Sequence, residues 1–159
     1  MTATEAVPAA ILRDEAECPF VPLPDMPEGA AMQLVQVDLD EGLWILRNRF
    51  PAGVTVPTHK HTGSVYAFTL SGSWKYLEYP EVNTAGSYLY EPAGSVHTLT
   101  VPETNDGLTE VWFAIHGCNL ILDDEGNVTE VWDAQFILDG YYMLCELHGF
   151  DRPNVIGAP

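Results

Sequence analysis

The chain has 159 residues, of which 47% are apolar, and 23 acidic against 6 basic side chains give it a formal net charge of −17. This length and apolar content predict one folded domain with a sizeable core and exclude a disordered chain. The negative field repels nucleic acid and anionic membranes, so neither is expected as a partner.

Cysteine usage and the start of the chain favour a reduced compartment. Cys18, Cys118 and Cys145 are an odd number without paired spacing, which is typical of buried small apolar side chains rather than disulfides. The N-terminal region has charged residues and no long apolar run, so it resembles neither a secretory signal nor a membrane span. We therefore expect a cytoplasmic protein.

The first 30 residues differ from the rest of the chain. They contain five prolines, which favour an extended arm over a helix. Residues 31–159 carry the patterns of a single domain. We therefore predict two parts, a proline-rich arm at 1–30 and one domain at 31–159.

Short runs of β-branched, aromatic and alternating apolar residues follow the arm, separated by turn residues. They predict strands at Met32–Val37, Leu43–Phe50, Ser64–Leu70, Ser73–Tyr79, Ser87–Glu91, Val96–Val101, Thr109–Ile115, Asn119–Leu122 and Val128–Trp132. Many short strands at this spacing are typical of a sandwich or a barrel.

The last part of the chain predicts a short helix. Apolar residues recur at helical spacing from Phe136 to His148, and Gly149 fits a C-cap. Asp139-Gly140 indicates a break into two shorter helices. We expect the arm and the helix to pack outside the strands or on a second subunit.

Three histidines occur in two segments of predicted strands that are bounded by glycines. His59 and His61 are two residues apart, so on a strand both imidazoles point to one face, and His97 comes from a neighbouring segment. Such a trio can form a mononuclear metal site with open positions for substrate and oxygen, and imidazole suits iron, zinc, nickel and copper. The alternative is a His-x-His pair that arose by chance on a surface strand.

These segments resemble the two motifs of the cupin superfamily. The first motif is Gly, five residues, His-x-His, a gap, Glu, six residues and Gly; the second is Gly, five residues, Pro-x-Gly, two residues, His, three residues and Asn. The matching residues are Gly53, His59, His61, Gly72, Gly86, Pro92, Gly94 and His97. The resemblance implies an all-β cupin double-stranded β-helix, or jelly-roll barrel, in which His59, His61 and His97 bind one divalent metal per chain.

The chain departs from these motifs at two positions and has an additional carboxylate. Val65 or Tyr66 occupies the place of the motif Glu, and Val101 that of the Asn. Glu91, six residues before His97, stands where cupins usually carry an apolar residue. A carboxylate there can take a proton from substrate, hold a metal-bound water or orient an imidazole. The alternative is an exposed carboxylate at the rim of a very acidic protein.

Aromatic and basic residues near the first motif are further candidates. Tyr66, Trp74 and Tyr76 lie in the hairpin beside it and are predicted to bind an aromatic substrate, with core or interface packing as the alternative. Arg47 and Arg49 share one strand face, where they can bind a substrate oxygen or pair with some of the many acids.

A narrower resemblance lies in three segments, Pro57–Gly63, Thr69–Trp74 and Tyr90–Leu99. They are similar to the 2,4′-dihydroxyacetophenone dioxygenase family, non-haem iron(II) cupins that cleave an aryl α-hydroxyketone with oxygen to an aryl carboxylate and formate. Acetylacetone dioxygenase is similar in its three-histidine shell and in a Glu six residues before the last His. The resemblance implies Fe²⁺, with Zn²⁺ or Ni²⁺ possible in the purified protein, and Glu91 as an acid/base.

The expected function is therefore an iron-dependent dioxygenase of an α-hydroxyketone or β-diketone. Its expected partners are a small-molecule substrate, O₂ and further copies of the chain in a homodimer or higher homo-oligomer. Two alternatives remain open. One is a non-catalytic zinc-binding sensor or regulatory module, similar to the metal-binding domain of certain anti-sigma factors. The other is a metal-assisted isomerase or hydrolase, which would not need oxygen.

Overall fold

The computed structural model describes residues 8–159, so the first seven residues of the predicted arm lie outside the described part. Within that part the chain forms mostly strands and one helix. The strands are β1 (Val21–Pro22), β2 (Ala31–Asp38), β3 (Leu43–Phe50), β4 (His59–His61), β5 (Val65–Ser71), β6 (Ser73–Tyr76), β7 (Asn83–Thr84), β8 (Tyr88–Glu91), β9 (Val96–His97), β10 (Leu99–Thr100), β11 (Thr109–His116), β12 (Asn119–Leu122) and β13 (Val128–Trp132). The helix is α1 (Ala134–Leu147).

The strands form a jelly-roll-like sandwich of antiparallel sheets. A six-stranded sheet has the order β1-β2-β3-β11-β5-β8, and a four-stranded sheet has the order β13-β12-β4-β9. A smaller sheet has the order β10-β6-β7. The predicted all-β cupin class is confirmed, with one correction: the sheets do not close into a barrel.

Period-two alternation decides which side chains face the core. On β5, Val65, Ala67 and Thr69 are buried, whereas the residues between them are exposed. On β11, Val111, Phe113 and Ile115 are buried in the same way, because successive residues of a strand point to opposite faces. The inner faces of the sheets therefore meet in one apolar core.

The helix α1 is continuous, which corrects the predicted break at Asp139-Gly140. Asp133 caps its start, where the carboxylate accepts a hydrogen bond of 2.8 Å from the Phe136 amide. Leu138 and Tyr141, on either side of the glycine, are buried against the sheet. Burial of this face outweighs the roughly 1 kcal/mol that a glycine costs in a helix interior.

The predicted strand at Val96–Val101 is also corrected, because it divides into β9 and β10. His97 of β9 pairs with β4, while Leu99 of β10 pairs with β6. The two halves join different sheets, and Thr98 lies between them. The segment predicted as one strand therefore passes from one sheet of the sandwich to another.

Part of the predicted arm is fixed to the domain. Val21 is buried and pairs with Met32 at the edge of the six-stranded sheet. The Gln33 side chain donates to the Cys18 carbonyl at 2.7 Å, and the Tyr141 hydroxyl donates to the Pro19 carbonyl at 2.6 Å. The arm therefore packs on the same chain through buried hydrogen bonds and strand pairing.

No helix among residues 8–159 has the length and apolar character needed to cross a membrane.

Candidate metal centre

Two short strands of the four-stranded sheet bring the three histidines together. His59 and His61 on β4 are both buried, and Lys60 between them is exposed. His59 is the cross-strand partner of His97 on β9. The three ring centroids lie 4.8–5.0 Å from one another, so the predicted trio forms one cluster.

One potential metal-binding nitrogen from each histidine lies close to the other two. One ring nitrogen from each histidine lies within 4.8 Å of the other two. His59 Nδ1 contacts the Pro57 carbonyl oxygen at 2.7 Å, which fixes the ring and leaves Nε2 as the available donor. Burial lowers the pKa of His59 to about 4, so its imidazole is neutral at pH 7, as a metal ligand must be.

Glu91 adds a buried carboxylate to the cluster. Its Oε2 lies 3.0 Å from His61 Nε2 and 3.1 Å from His97 Nε2, and the residue is 3% exposed. Burial alone would raise its pKa, but the imidazoles of His61 and His97 outweigh burial and lower the pKa to about 2. Glu91 is therefore ionised at pH 7, and the exposed-rim alternative for it is wrong.

Tyr76 holds the other oxygen of this carboxylate. Its hydroxyl donates to Glu91 Oε1, and its ring stacks on His97 with centroids 3.7 Å apart. Burial and the neighbouring carboxylate raise the pKa of Tyr76 well above its ordinary value. The hydroxyl therefore stays protonated and remains a donor.

Glu91 is the cross-strand partner of Val65, one of the two residues considered for the place of the motif Glu. Val65 of β5 and Glu91 of β8 are cross-strand partners, and both are buried. Tyr66, the other residue considered for that position, is 40% exposed and pairs with Tyr90 on the outer face. The carboxylate that the first motif lacks is thus present on the neighbouring strand at the same level of the ladder.

Unpaired polar atoms test whether the cluster suits a metal. Within residues 8–159, His97 Nε2 and Glu91 Oε2 are buried and lie 3.1 Å apart, and neither atom has a hydrogen-bond partner. Buried polar atoms without partners are costly, and a cation among them would satisfy both. Three imidazoles and a nearby carboxylate fit a divalent first-row metal.

Of the three aromatic candidates for substrate binding, Tyr76 alone reaches the cluster in the described contacts. Trp74 is buried beside Tyr76 and donates from Nε1 to the Thr69 hydroxyl at 2.9 Å. Tyr66 lies on the outer face of β5, where its ring packs against Tyr90. The structure therefore does not bring Tyr66 to the histidines, because alternation turns it away from the core.

The two arginines pair with acids rather than with the site. Arg47 and Arg49 both contact Glu110 on the adjacent strand, and the Arg49 guanidinium lies 3.1 Å from Glu15. Arg49 also lies 3.6 Å above the ring of Phe20 in the arm. The acid-pairing alternative for these residues is therefore confirmed.

The contact between Tyr76 and Glu91 escaped the sequence prediction. The two residues are 15 positions apart and belong to different sheets, so neither motif links them. Alternation on β6 places Trp74 and Tyr76 on the same buried face, which is the local signal that could have separated them from Tyr66.

Fold and site together define a cupin with a three-histidine cluster that can hold a divalent metal. A model of the ChrR cupin-like domain matches residues 8–117, more than half of the chain. The chain therefore belongs to the ChrR cupin-like domain family.

Several solved structures share the cupin fold of this chain. A cupin-fold protein of unknown function from Ralstonia eutropha JMP134 is 34% identical with a TM-score of 0.84, covering 100% of this chain and 96% of its own. An RmlC-like cupin from the same organism is 28% identical with a TM-score of 0.85, covering 99% of this chain and 100% of its own. An acetylacetone dioxygenase from Acinetobacter johnsonii shares the fold at 18% identity and a TM-score of 0.73, covering 91% and 97%. No curated protein gives a significant match.

Proposed function

We propose that the chain is an iron(II)-dependent dioxygenase that cleaves a carbon–carbon bond of an α-hydroxyketone or a β-diketone with O₂. The observation that carries the proposal is the ionised, buried carboxylate of Glu91 beside two of the three histidines. Substrates of this kind must lose a proton before they react with oxygen. A carboxylate at hydrogen-bond distance from the metal ligands is suited to accept that proton.

The residues of the site divide the work. His59, His61 and His97 would hold the metal, which would bind a two-oxygen substrate and supply the redox chemistry that oxygen requires. Glu91 accepts the substrate proton at Oε2. Tyr76 keeps Oε1 in place through its hydroxyl and so orients the accepting oxygen.

The overall reaction balances without a further reductant. An aryl hydroxyketone, ArCOCH₂OH, and O₂ give ArCOOH and HCOOH. Acetylacetone and O₂ give acetate and methylglyoxal, again with both oxygen atoms in the products. Each substrate donates the electrons that reduce the oxygen, so the proposal needs no additional cofactor beyond the metal.

Two solved structures that share this fold have names that point to the same substrate class. One is the Acinetobacter johnsonii acetylacetone dioxygenase, and the other is a putative acetylacetone dioxygenase from Methylibium petroleiphilum PM1, at 18% identity and a TM-score of 0.75. These likenesses concern the fold, so the substrate argument depends on Glu91 and the histidines. The narrower resemblance to 2,4′-dihydroxyacetophenone dioxygenase stays a prediction.

The test is oxygen uptake by iron-reconstituted protein. An oxygen electrode would record consumption with acetylacetone and with 2-hydroxyacetophenone, while chromatography identifies the two acids or the aldehyde product. We expect substrate-dependent uptake that is lost in a Glu91→Gln variant loaded with iron to the same content. Iron-loaded protein that consumes no oxygen with any hydroxyketone or diketone would refute the proposal.

A zinc-binding sensor module is the second candidate, because the three histidines are only 6%, 2% and 1% exposed. A closed site suits a metal that is held rather than one that exchanges substrate. Membership of the ChrR cupin-like domain family is consistent with this role. Tight zinc binding without oxygen uptake, with a conformational change on zinc release, would favour the sensor.

A further inference from the structure

Glu91 Oε2 lies at the spacing of a metal ligand, not only of a neighbouring base. Its distances of 3.0 and 3.1 Å to His61 Nε2 and His97 Nε2 are nearly equal. Two donors that each bind one metal at about 2.1 Å lie roughly 3.0 to 3.4 Å apart in octahedral or tetrahedral geometry. The oxygen is therefore spaced from each of the two nitrogens like a neighbouring corner of one coordination shell.

The surroundings leave this oxygen without another function in the fold. Oε1 accepts the Tyr76 hydroxyl, whereas Oε2 is buried and has no hydrogen-bond partner within residues 8–159. A buried carboxylate oxygen without a partner is unfavourable. A cation shared with the histidines removes that cost, and the fixed Oε1 leaves Oε2 as the free donor.

The ladder explains how a carboxylate on β8 reaches this place. Val65 and Glu91 are directly opposite one another, and both side chains face the core. Cβ atoms of such partners lie about 4.5 to 5.5 Å apart, which is within the reach of a Glu side chain. A carboxylate from either strand therefore reaches the same region of the interior.

We propose that Glu91 is the fourth protein ligand of the metal, supplied across the β5–β8 ladder from the position opposite Val65. The site then holds three imidazoles and one carboxylate, and it has one negative charge more than the histidines alone provide. The assignment requires the metal site but not the dioxygenase activity. It is also compatible with that activity, because it concerns the site without substrate, whereas the role of Glu91 as proton acceptor concerns the site with substrate bound.

The test measures cobalt(II) binding to the full-length chain in the absence of substrate and oxygen. Affinity is obtained by competition with a chelating indicator, and the visible absorption of bound Co²⁺ reports the number of ligands. The variants are Glu91→Gln, Glu91→Val and the exchange Val65→Glu/Glu91→Val, which moves the carboxylate to the opposite strand. Circular dichroism and thermal unfolding establish that each variant is folded.

We expect Glu91→Val to weaken Co²⁺ binding more than the 10- to 100-fold that loss of an outer-shell partner costs, and to change the absorption spectrum. The exchange variant should bind within about tenfold of the native protein and recover its spectrum, because the carboxylate reaches the same region.

A Glu91→Gln variant with native affinity and spectrum would overturn the assignment, and so would a folded exchange variant that binds no better than Glu91→Val. Since Glu91→Gln changes only one atom, it keeps the test decisive if the exchange variant does not fold. Absence of oxygen uptake leaves these results unaffected.

Discussion

Tyr76 lies flat against His97, with ring centroids 3.7 Å apart and ring planes 14° apart, while its hydroxyl binds Glu91. One side chain therefore supports both a histidine of the cluster and the carboxylate beside it. The stacked ring restricts the orientation of the imidazole, and the hydroxyl restricts that of the carboxylate. Removing the hydroxyl alone separates these two effects.

A Tyr76→Phe variant keeps the stacked ring and loses the hydrogen bond to Glu91. Since the bond goes to a buried charged group, we expect a loss of about 1.5 to 3 kcal/mol in the free energy of unfolding. Oxygen uptake should fall by about 10- to 100-fold, as for other outer-shell partners. Tyr79→Phe, which changes an exposed tyrosine next to Tyr76, is the control for both measurements. Unchanged uptake in Tyr76→Phe would contradict an orienting role for the hydroxyl.

The histidine cluster predicts which substitutions abolish metal binding. Alanine at His59, His61 or His97 should each lower the metal content measured by elemental analysis, because each removes one donor from the cluster. The control is His148→Ala, which changes a histidine at the C-terminal end of α1 that does not belong to the cluster. Equal metal content in the His97→Ala and His148→Ala proteins would show that the metal binds elsewhere.

The ion pairs of Glu110 predict that part of the free energy of unfolding is lost in acid. Burial would raise its pKa, but the guanidinium groups of Arg47 and Arg49 hold the pKa below its ordinary value of 4.5. A carboxyl with a depressed pKa stabilises the fold above its unfolded pKa, and this stabilisation is lost as the pH falls through the folded pKa. Glu110→Gln should therefore cost about 1 to 2 kcal/mol at pH 7 and progressively less below pH 4.5.

Urea unfolding of native and variant protein across this pH range measures the Glu110 effect. Glu81→Gln is the matched control, because Glu81 is exposed. We expect its unfolding curve to follow that of the native protein at every pH. A Glu110→Gln deficit that stays constant down to pH 3 would rule out the linkage.

Tyr141 predicts how firmly the arm is held. Its hydroxyl donates to the Pro19 carbonyl from the buried face of α1. Tyr141→Phe should cost about 1 kcal/mol of global stability and should increase proteolytic cleavage within residues 8–30. Tyr142→Phe changes the adjacent, partly exposed tyrosine and serves as the control. If both variants are cleaved at the native rate, the hydrogen bond does not hold the arm.

The outer face of β5 and β8 predicts self-association. Its aromatic and apolar residues lie beside Trp112 of the adjacent β11, and we call this set the outer aromatic face: Tyr66, Phe68, Leu70, Tyr88, Tyr90 and Trp112. Glu110, the acid nearest to it in the ladder, is neutralised by Arg47 and Arg49. In a chain of charge −17, two copies meet with least repulsion on a face without unpaired acids.

Sedimentation velocity tests the expected homodimer. The native chain should sediment as a dimer at micromolar concentration, and Phe68→Asp should shift it to the monomer by adding charge to the face. Leu77→Asp changes another exposed apolar residue outside the face and should leave the dimer intact. A monomeric native chain would exclude self-association under these conditions.

Local patterns predicted much of the fold because alternation is a local property of a strand. The predicted runs at Leu43–Phe50 and Asn119–Leu122 match β3 and β12 in full. The two-residue strands Val21–Pro22 and Asn83–Thr84 were missed because only pairing with a distant partner defines them. A pattern within one segment contains no information about such a partner.

The site was predictable to the same extent and for the same reason. The spacing of His59 and His61 placed both on one face, whereas the sequence left open whether Glu91 is buried or exposed, and the structure shows it buried. Whether Val65 or Tyr66 occupies the place of the motif carboxylate depends on strand register, which the sequence left open. The hydrogen bond between Tyr76 and Glu91 depends on the packing of two sheets and has no sequence signal.

The residues of the site come from both sheets of the sandwich. His59 and His97 belong to the four-stranded sheet, whereas Glu91 belongs to β8, the last strand of the six-stranded sheet. An ion bound by all three would connect the two sheets directly. It would also stabilise β8, which pairs with β5 on one side and lies at the edge of its sheet. Metal loading should then slow hydrogen exchange at the amides of β8 more than in the middle of its sheet.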